Sequence, residues 1–408
     1  MDKPKLRPLQ AVPVRQDGQV FVQLFDPARL TDHQVVVPQE MMFLLAMLDG
    51  THSVLDMQVA LTRRTGQLVL SHQIQQVVDQ LDEALMLDSE RFAAHVRELE
   101  EGFRREPVRR ASSAGAGYPA EPVPLRALLD SCFTADGGPG APRAGAGDGS
   151  LVGLVAPHID LTRGGVCYGH AYKALAEGCD AELFVVLGTA HFARDALYIL
   201  TRKSFETPLG TLRTDGGLVE ALARRCGGDL FAEELVHRTE HSIEFQVLFL
   251  QHLLGDRQIE MVPVLCGSME ARVGDEQSPG EVGEIRDFVG ALRDAIAESG
   301  RRTCVVAGAD LAHVGRQFGD DFSLTPALME DVARADRDTL GHVERLDADG
   351  FYDAVRIDDN ARHICGVPSI YTLLATVDAA RCDLLAYRQA VDYDLDRAVT
   401  FASLALYA

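Results

Sequence analysis

From residue 151 onward the chain alternates short apolar runs with amphipathic stretches. The runs at 151–156, 183–187, 196–201, 260–265 and 303–307 read as buried strands, and 384–390 and 399–406 are further candidates. Between them, helical spacing occupies 166–176, 216–225, 242–254, 281–298, 326–340 and 369–380. This alternation predicts an α/β fold: a three-layer domain around a central, mostly parallel sheet. In such sheets ligands bind beyond the carboxyl ends of the strands, so polar residues just past a strand end are the first to consider.

The earlier part of the chain has a different rhythm. Residues 1–96 read as a small separate unit, with part of a hairpin at 15–26 turning at Asp17-Gly18. Three helical patterns follow at 38–48, 54–65 and 72–86. In the last, Ile74, Val77, Val78, Leu81, Leu85 and Met86 share one face. A helix trio beside a β-ribbon predicts a winged-helix-like α/β module, a form suited to binding. Residues 97–110 are highly charged and read as a linker or a solvated helix. The second domain is placed at 111–408, opening with a turn and a helix to residue 133. Residues 134–150, rich in Gly, Ala and Pro, are expected to form a mobile internal loop.

Composition narrows the function classes. A net charge of −22 over 408 residues argues against nucleic acid or an anionic membrane as the main partner. No apolar run approaches the roughly 18 residues that span a bilayer. The opening MDKPKLRPLQ lacks the apolar core of a signal peptide, so a cytoplasmic location is expected. The eight cysteines form no CxxC pair, which excludes a zinc ribbon. Thirteen histidines are spread along the chain, so position must decide which of them matter.

Several strand ends carry chemistry. His158 follows the 151–156 run, and His191 follows 183–187 through Gly188, Thr189 and Ala190. The 303–307 run leads to Asp310 and His313, a pairing that suits a base and its orienting carboxylate. Cys365 lies just before a helix start marked by Pro368, where the helix dipole favours a thiolate. Glu240, His241 and Glu244 cluster at the start of the 242–254 helix. Two imidazoles and a thiolate with open positions suit iron, copper or zinc, and three protein ligands with a vacancy is the catalytic pattern.

Taken together, APHIDLTRGG, LGTAH, EHSIE, GADLAHVG and HICGVP resemble the ordered motifs of the Memo family, whose bacterial members are called AmmeMemoRadiSam system protein B. That family's fold is similar to the class III extradiol ring-cleavage dioxygenases of the LigB type. The resemblance implies metal ligands at His158, His191 and Cys365, and a D-x-x-H pair at Asp310 and His313. A carboxylate stands in those dioxygenases where Cys365 would stand here. The segment SSAGAGY departs from the family's SHAGSWY, with Ser113 for a histidine and Gly117 for a tryptophan. Asp160 replaces the glycine of APHAGY and would add a carboxylate near the metal. The first unit loosely resembles PqqD-like peptide-binding domains.

The function expected is a metal-dependent, dioxygenase-like oxidoreductase acting on an unknown small molecule. Iron(II) is the first choice of cofactor, with copper or zinc as alternatives. His313 would be the acid/base, Asp310 would fix its tautomer, and His241 would donate to a developing oxyanion. One alternative is a zinc hydrolase in which His313 or Glu244 takes the proton from water. Another is a protein without turnover whose N-terminal unit engages a peptide or a radical SAM protein.

Overall fold

The computed structural model describes residues 2–16, 18–143, 149–274 and 277–408. The chain divides into two compact units, Met1–Arg105 and Glu106–Ala408.

In the first unit, strands Gln10–Gln16, Gln19–Phe25 and Gln34–Pro38 form an antiparallel sheet. Asp17, expected at the first turn, lies outside the described residues. Helices Val54–Thr65 and Ser71–Glu83 occupy two of the expected places. Ser53 and Asp56 make a reciprocal cap at the start of the former. Met57, Ile74, Val78 and Leu81 pack with Leu24, Leu44 and Leu45 in one core. The stretch expected as helix at 38–48 is shorter, with α-helix only at Met42–Ala46. Pro38 ends the preceding strand, paired with Phe21, and Gln39–Met41 form a single 3₁₀ turn. The charged stretch beyond residue 97 continues a helix, Glu90–Arg105. Phe92, Val96, Leu99 and Phe103 recur at helical spacing there, a stripe masked by the surrounding charge.

The second unit is a mixed α/β structure with a large sheet, eleven-stranded among the described residues. Five neighbouring strands run parallel, in the order Leu151–Ala156, Thr303–Gly308, Leu183–Thr189, Glu260–Cys266 and Gly210–Thr214. The long strands Arg381–Asp392 and Arg397–Tyr407 add an antiparallel flank beside Leu151–Ala156. Side chains of the central strands alternate between two cores. Val185 and Leu187 face the side of helices Gly283–Ser299 and Val367–Thr376, while Phe184 and Val186 face that of Leu161–Gly178 and Ser242–Leu254. Strands buried on both faces read as continuous apolar runs, which is why they were legible. Short polar strands such as Ser204–Thr207 and His313–Val314 were not.

Two local features position the site. At Gly308 an added Cβ would lie 2.6 Å from the Ser242 carbonyl oxygen, so the glycine lets the Ser242–Leu254 helix start close against this strand end. The expected mobile loop is anchored as far as Arg143. Gly140 N donates to the Phe133 carbonyl at 2.9 Å, and Lys173 Nζ donates to that of Ala141 at 3.1 Å. Residues 144–148 of that loop lie outside the described residues. No helix among the described residues is long and apolar enough to cross a membrane.

Candidate metal centre

Three adjacent parallel strands deliver His158, Asp310 and His191 to one edge of the sheet, although the residues are far apart in sequence. The segment before the Val367–Thr376 helix brings Cys365 to the same place. One donor atom from each of His158, His191 and Cys365 lies within 4.8 Å of the others. His158 Nε2 is 3.3 Å from Cys365 Sγ. The His158 and His191 rings meet edge to face with centroids 5.0 Å apart.

Hydrogen bonds on the far side of each ring set the tautomers. His158 Nδ1 donates to the Gly308 carbonyl at 2.8 Å, and His191 Nδ1 donates to Glu240 Oε2 at 2.9 Å. Both Nε2 atoms are thereby left toward the thiol, in the arrangement that metal-binding histidines need. Glu240 is buried, and its other oxygen accepts from the backbone N–H groups of His241 and Ser242 at 2.8 and 2.9 Å. From the sequence, Glu240 was one of a cluster at the start of the 242–254 helix, with no partner assigned. Its position immediately before His241 was the only available signal.

The electrostatics fit a cation between these donors. Burial works against a charged thiolate, yet His158 and His313, with hydrogen bonds from His158 and His191, pull Cys365 down to about 5. Burial alone would lower His158, but the Asp310 and Cys365 charges raise it to about 9. His191 is likewise raised, with the charges of Glu240 and Cys365 outweighing its partial desolvation. Protons therefore hold the thiolate's charge where a metal would displace them. A soft thiolate with two imidazoles fits iron, copper or zinc.

Other expected site residues take different places. Asp310 faces His158, not His313: its Oδ1 accepts from His158 N at 2.9 Å and its Oδ2 is 3.6 Å from Nε2. His313 is oriented by backbone instead, Nδ1 donating to the Leu311 carbonyl at 3.1 Å. His241 stacks on His191 with centroids 5.3 Å apart. Burial lowers its imidazole to about 4, and Nδ1 lies 3.3 Å from Glu240 Oε1. A neutral ring holding its proton toward Glu240 presents Nε2 as an acceptor, the reverse of the expected donor role.

Glu244 is engaged elsewhere. It is fully buried against Arg109 and also accepts from Tyr118 and from Ser112 and Ser113 N. The SSAGAGY segment is thus a cradle for this carboxylate, and a base role does not suit it. Asp160 caps the Leu161–Gly178 helix through Arg163 N and pairs with Arg163 Nε at 2.5 Å. Its carboxylate is therefore accounted for without a metal.

A cavity of about 550 Å³ opens on His191 and Cys365. Its volume is that of an ordinary small-molecule pocket.

A mixed α/β unit that gathers two histidines and a cysteine beyond its parallel strands is the class defined by fold and site. Residues 109–405 match the family described as Memo-like protein, and the chain belongs to that family. It is 27% identical over 408 residues to a MEMO1 family protein of Aquifex aeolicus, covering 99% of this chain and 100% of the relative. A MEMO1 family protein of Methanopyrus kandleri is 33% identical over 301 residues, 71% of this chain and 96% of the relative. One from Thermus thermophilus is 30% identical over 335 residues, 82% of this chain and 92% of the relative.

Proposed function

We propose that the chain binds one metal ion at His158, His191 and Cys365, iron(II) ahead of copper or zinc, and acts as an oxidoreductase on a small molecule held in the adjoining cavity. The observation that carries this reading is the convergence of two imidazoles, each with Nδ1 committed to an acceptor, on a thiol lowered to about 5. Bound iron or copper would supply Lewis acidity and electron transfer. The likeness of the family's fold to LigB-type dioxygenases supports redox chemistry over hydrolysis.

The chain's own groups divide the remaining work. Gly308 and Glu240 orient the two histidines, and Asp310 holds the His158 backbone. His313 donates Nδ1 to the Leu311 carbonyl, which leaves Nε2 as the acceptor that the proposed base role requires. Val273, Val355 and Val367 line the cavity with apolar surface that limits water. The small N-terminal unit, read as winged-helix-like and PqqD-like, is assigned to binding a peptide or a radical SAM protein.

Anaerobic purification with metal analysis and oxygen-uptake measurement tests the proposal. Stoichiometric iron with substrate-dependent oxygen uptake is expected. Stoichiometric zinc without redox activity would favour the hydrolase instead. Full metal occupancy in Cys365→Ala would remove the proposed ligand set.

A further inference from the structure

The cavity beside the candidate metal centre has walls and a rim of different character. Its walls include Met269, Val273, Tyr352, Val355 and Val367, all buried in the fold. Its inner end is formed by His191 and Cys365. The charged residues of its lining are Glu270, Arg356 and Asp359, with His363 beside them.

Arg356 is committed within the protein. One guanidinium nitrogen donates to the carbonyls of Gly274 and Gln277, each at 3.1 Å, and another to Asp353 Oδ1 at 2.6 Å. Its charge is thus balanced by Asp353. Glu270 accepts one hydrogen bond, from the neutral Asn360 amide at 2.8 Å. Among the described residues, neither Glu270 nor Asp359 is in a salt bridge. The exposed edge of the cavity therefore carries two carboxylates that form no ion pair among the described residues, in a chain already at −22.

We infer that this cavity takes an amine: an apolar body seated against Met269, Val355 and Val367, with its ammonium group at Glu270 and Asp359. A carboxylate or phosphate ligand would meet like charge at the same place, with no free guanidinium to offset it. The inference deepens the oxidoreductase reading by naming a substrate class, and rests on it only for the role of the inner end.

Isothermal titration calorimetry on the full chain with 3-phenylpropylamine, 3-phenylpropanol and 3-phenylpropionate tests the assignment. The amine is expected to bind about tenfold more tightly than the carboxylate, with the alcohol between. The double variant Glu270→Gln, Asp359→Asn should lose most of that preference. Gln keeps an oxygen for Asn360, and Asn tolerates the φ of 53° at position 359, so the fold is expected to persist. Equal or tighter binding of the carboxylate, no detectable amine binding, or an unchanged preference in the double variant would each overturn the inference. Repeating the titration on Cys365→Ser separates the two readings. Amine preference that survives metal loss in this variant leaves the inference standing by itself, and amine preference in a parent protein found to hold no metal would remove the metal reading alone. Metal binding in the parent without amine preference would do the reverse.

Discussion

Replacing Glu240 by Gln is the sharpest probe of the metal centre, because the two side chains differ by one acceptor. In the parent, Oε1 accepts from His241 N and Ser242 N, and Oε2 accepts from His191 Nδ1. Gln offers one oxygen. The two backbone N–H groups claim it, which turns the amide NH₂ toward His191 Nδ1, donor against donor. The clash is relieved when the His191 proton moves to Nε2, and that atom then has no lone pair for a metal. Loss of such an outer partner costs about 10- to 100-fold in metal affinity, or about 1.4–2.7 kcal/mol. Competition against a chelator of known affinity measures the change, with circular dichroism confirming the fold. An affinity within twofold of the parent in a folded variant would refute the tautomer argument.

Further predictions concern the frame of the site. Arg362 pairs with Asp336 at 2.6 Å and donates to Thr339 Oγ1 at 2.9 Å in a buried network, so Arg362→Ala should cost about 3–5 kcal/mol in denaturant unfolding. Gly366→Ala would place a Cβ 2.4 Å from the Asp310 carbonyl oxygen; a loss of about 1–3 kcal/mol is expected, and an unchanged melting temperature would count against the packing described. Burial would raise Glu244, but Arg109 and the hydrogen bonds of Tyr118 outweigh it and hold the carboxyl below its ordinary value. Its stabilisation is therefore complete above about pH 5 and is lost as pH falls through the depressed value, so Glu244→Gln should flatten the acid limb of the stability curve below about pH 4. The Methanopyrus relative is matched over 96% of its length by 71% of this chain, so removing residues 1–105 should leave metal stoichiometry unchanged.

Much of the second unit was legible because its strands are buried on both faces and its helices are amphipathic. The Gly216–Arg225 and Ser242–Leu254 helices fall where the pattern predicts. Where charge dominates composition, as in Glu90–Arg105, a four-residue apolar stripe was hidden. Short polar strands carry too few residues to show a period. His158 and His191 were legible as residues past strand ends, and Cys365 as one just before a helix start.

Their partners were another matter. That Glu240 serves His191 while Glu244 serves Arg109 depends on Glu240 lying before the Ser242–Leu254 helix and Glu244 within it, each against a segment remote in sequence, which no local pattern states. That Asp310 turns to His158, and leaves His313 to a backbone carbonyl, depends on neighbouring strands being Leu151–Ala156 and Thr303–Gly308. The sequence by itself determined the strand-and-helix alternation and which side chains reach the sheet edge, through burial and periodicity along the chain. Only the tertiary structure decided who faces whom across that edge, because hydrogen-bond partners are set by distances between segments that the chain order does not encode.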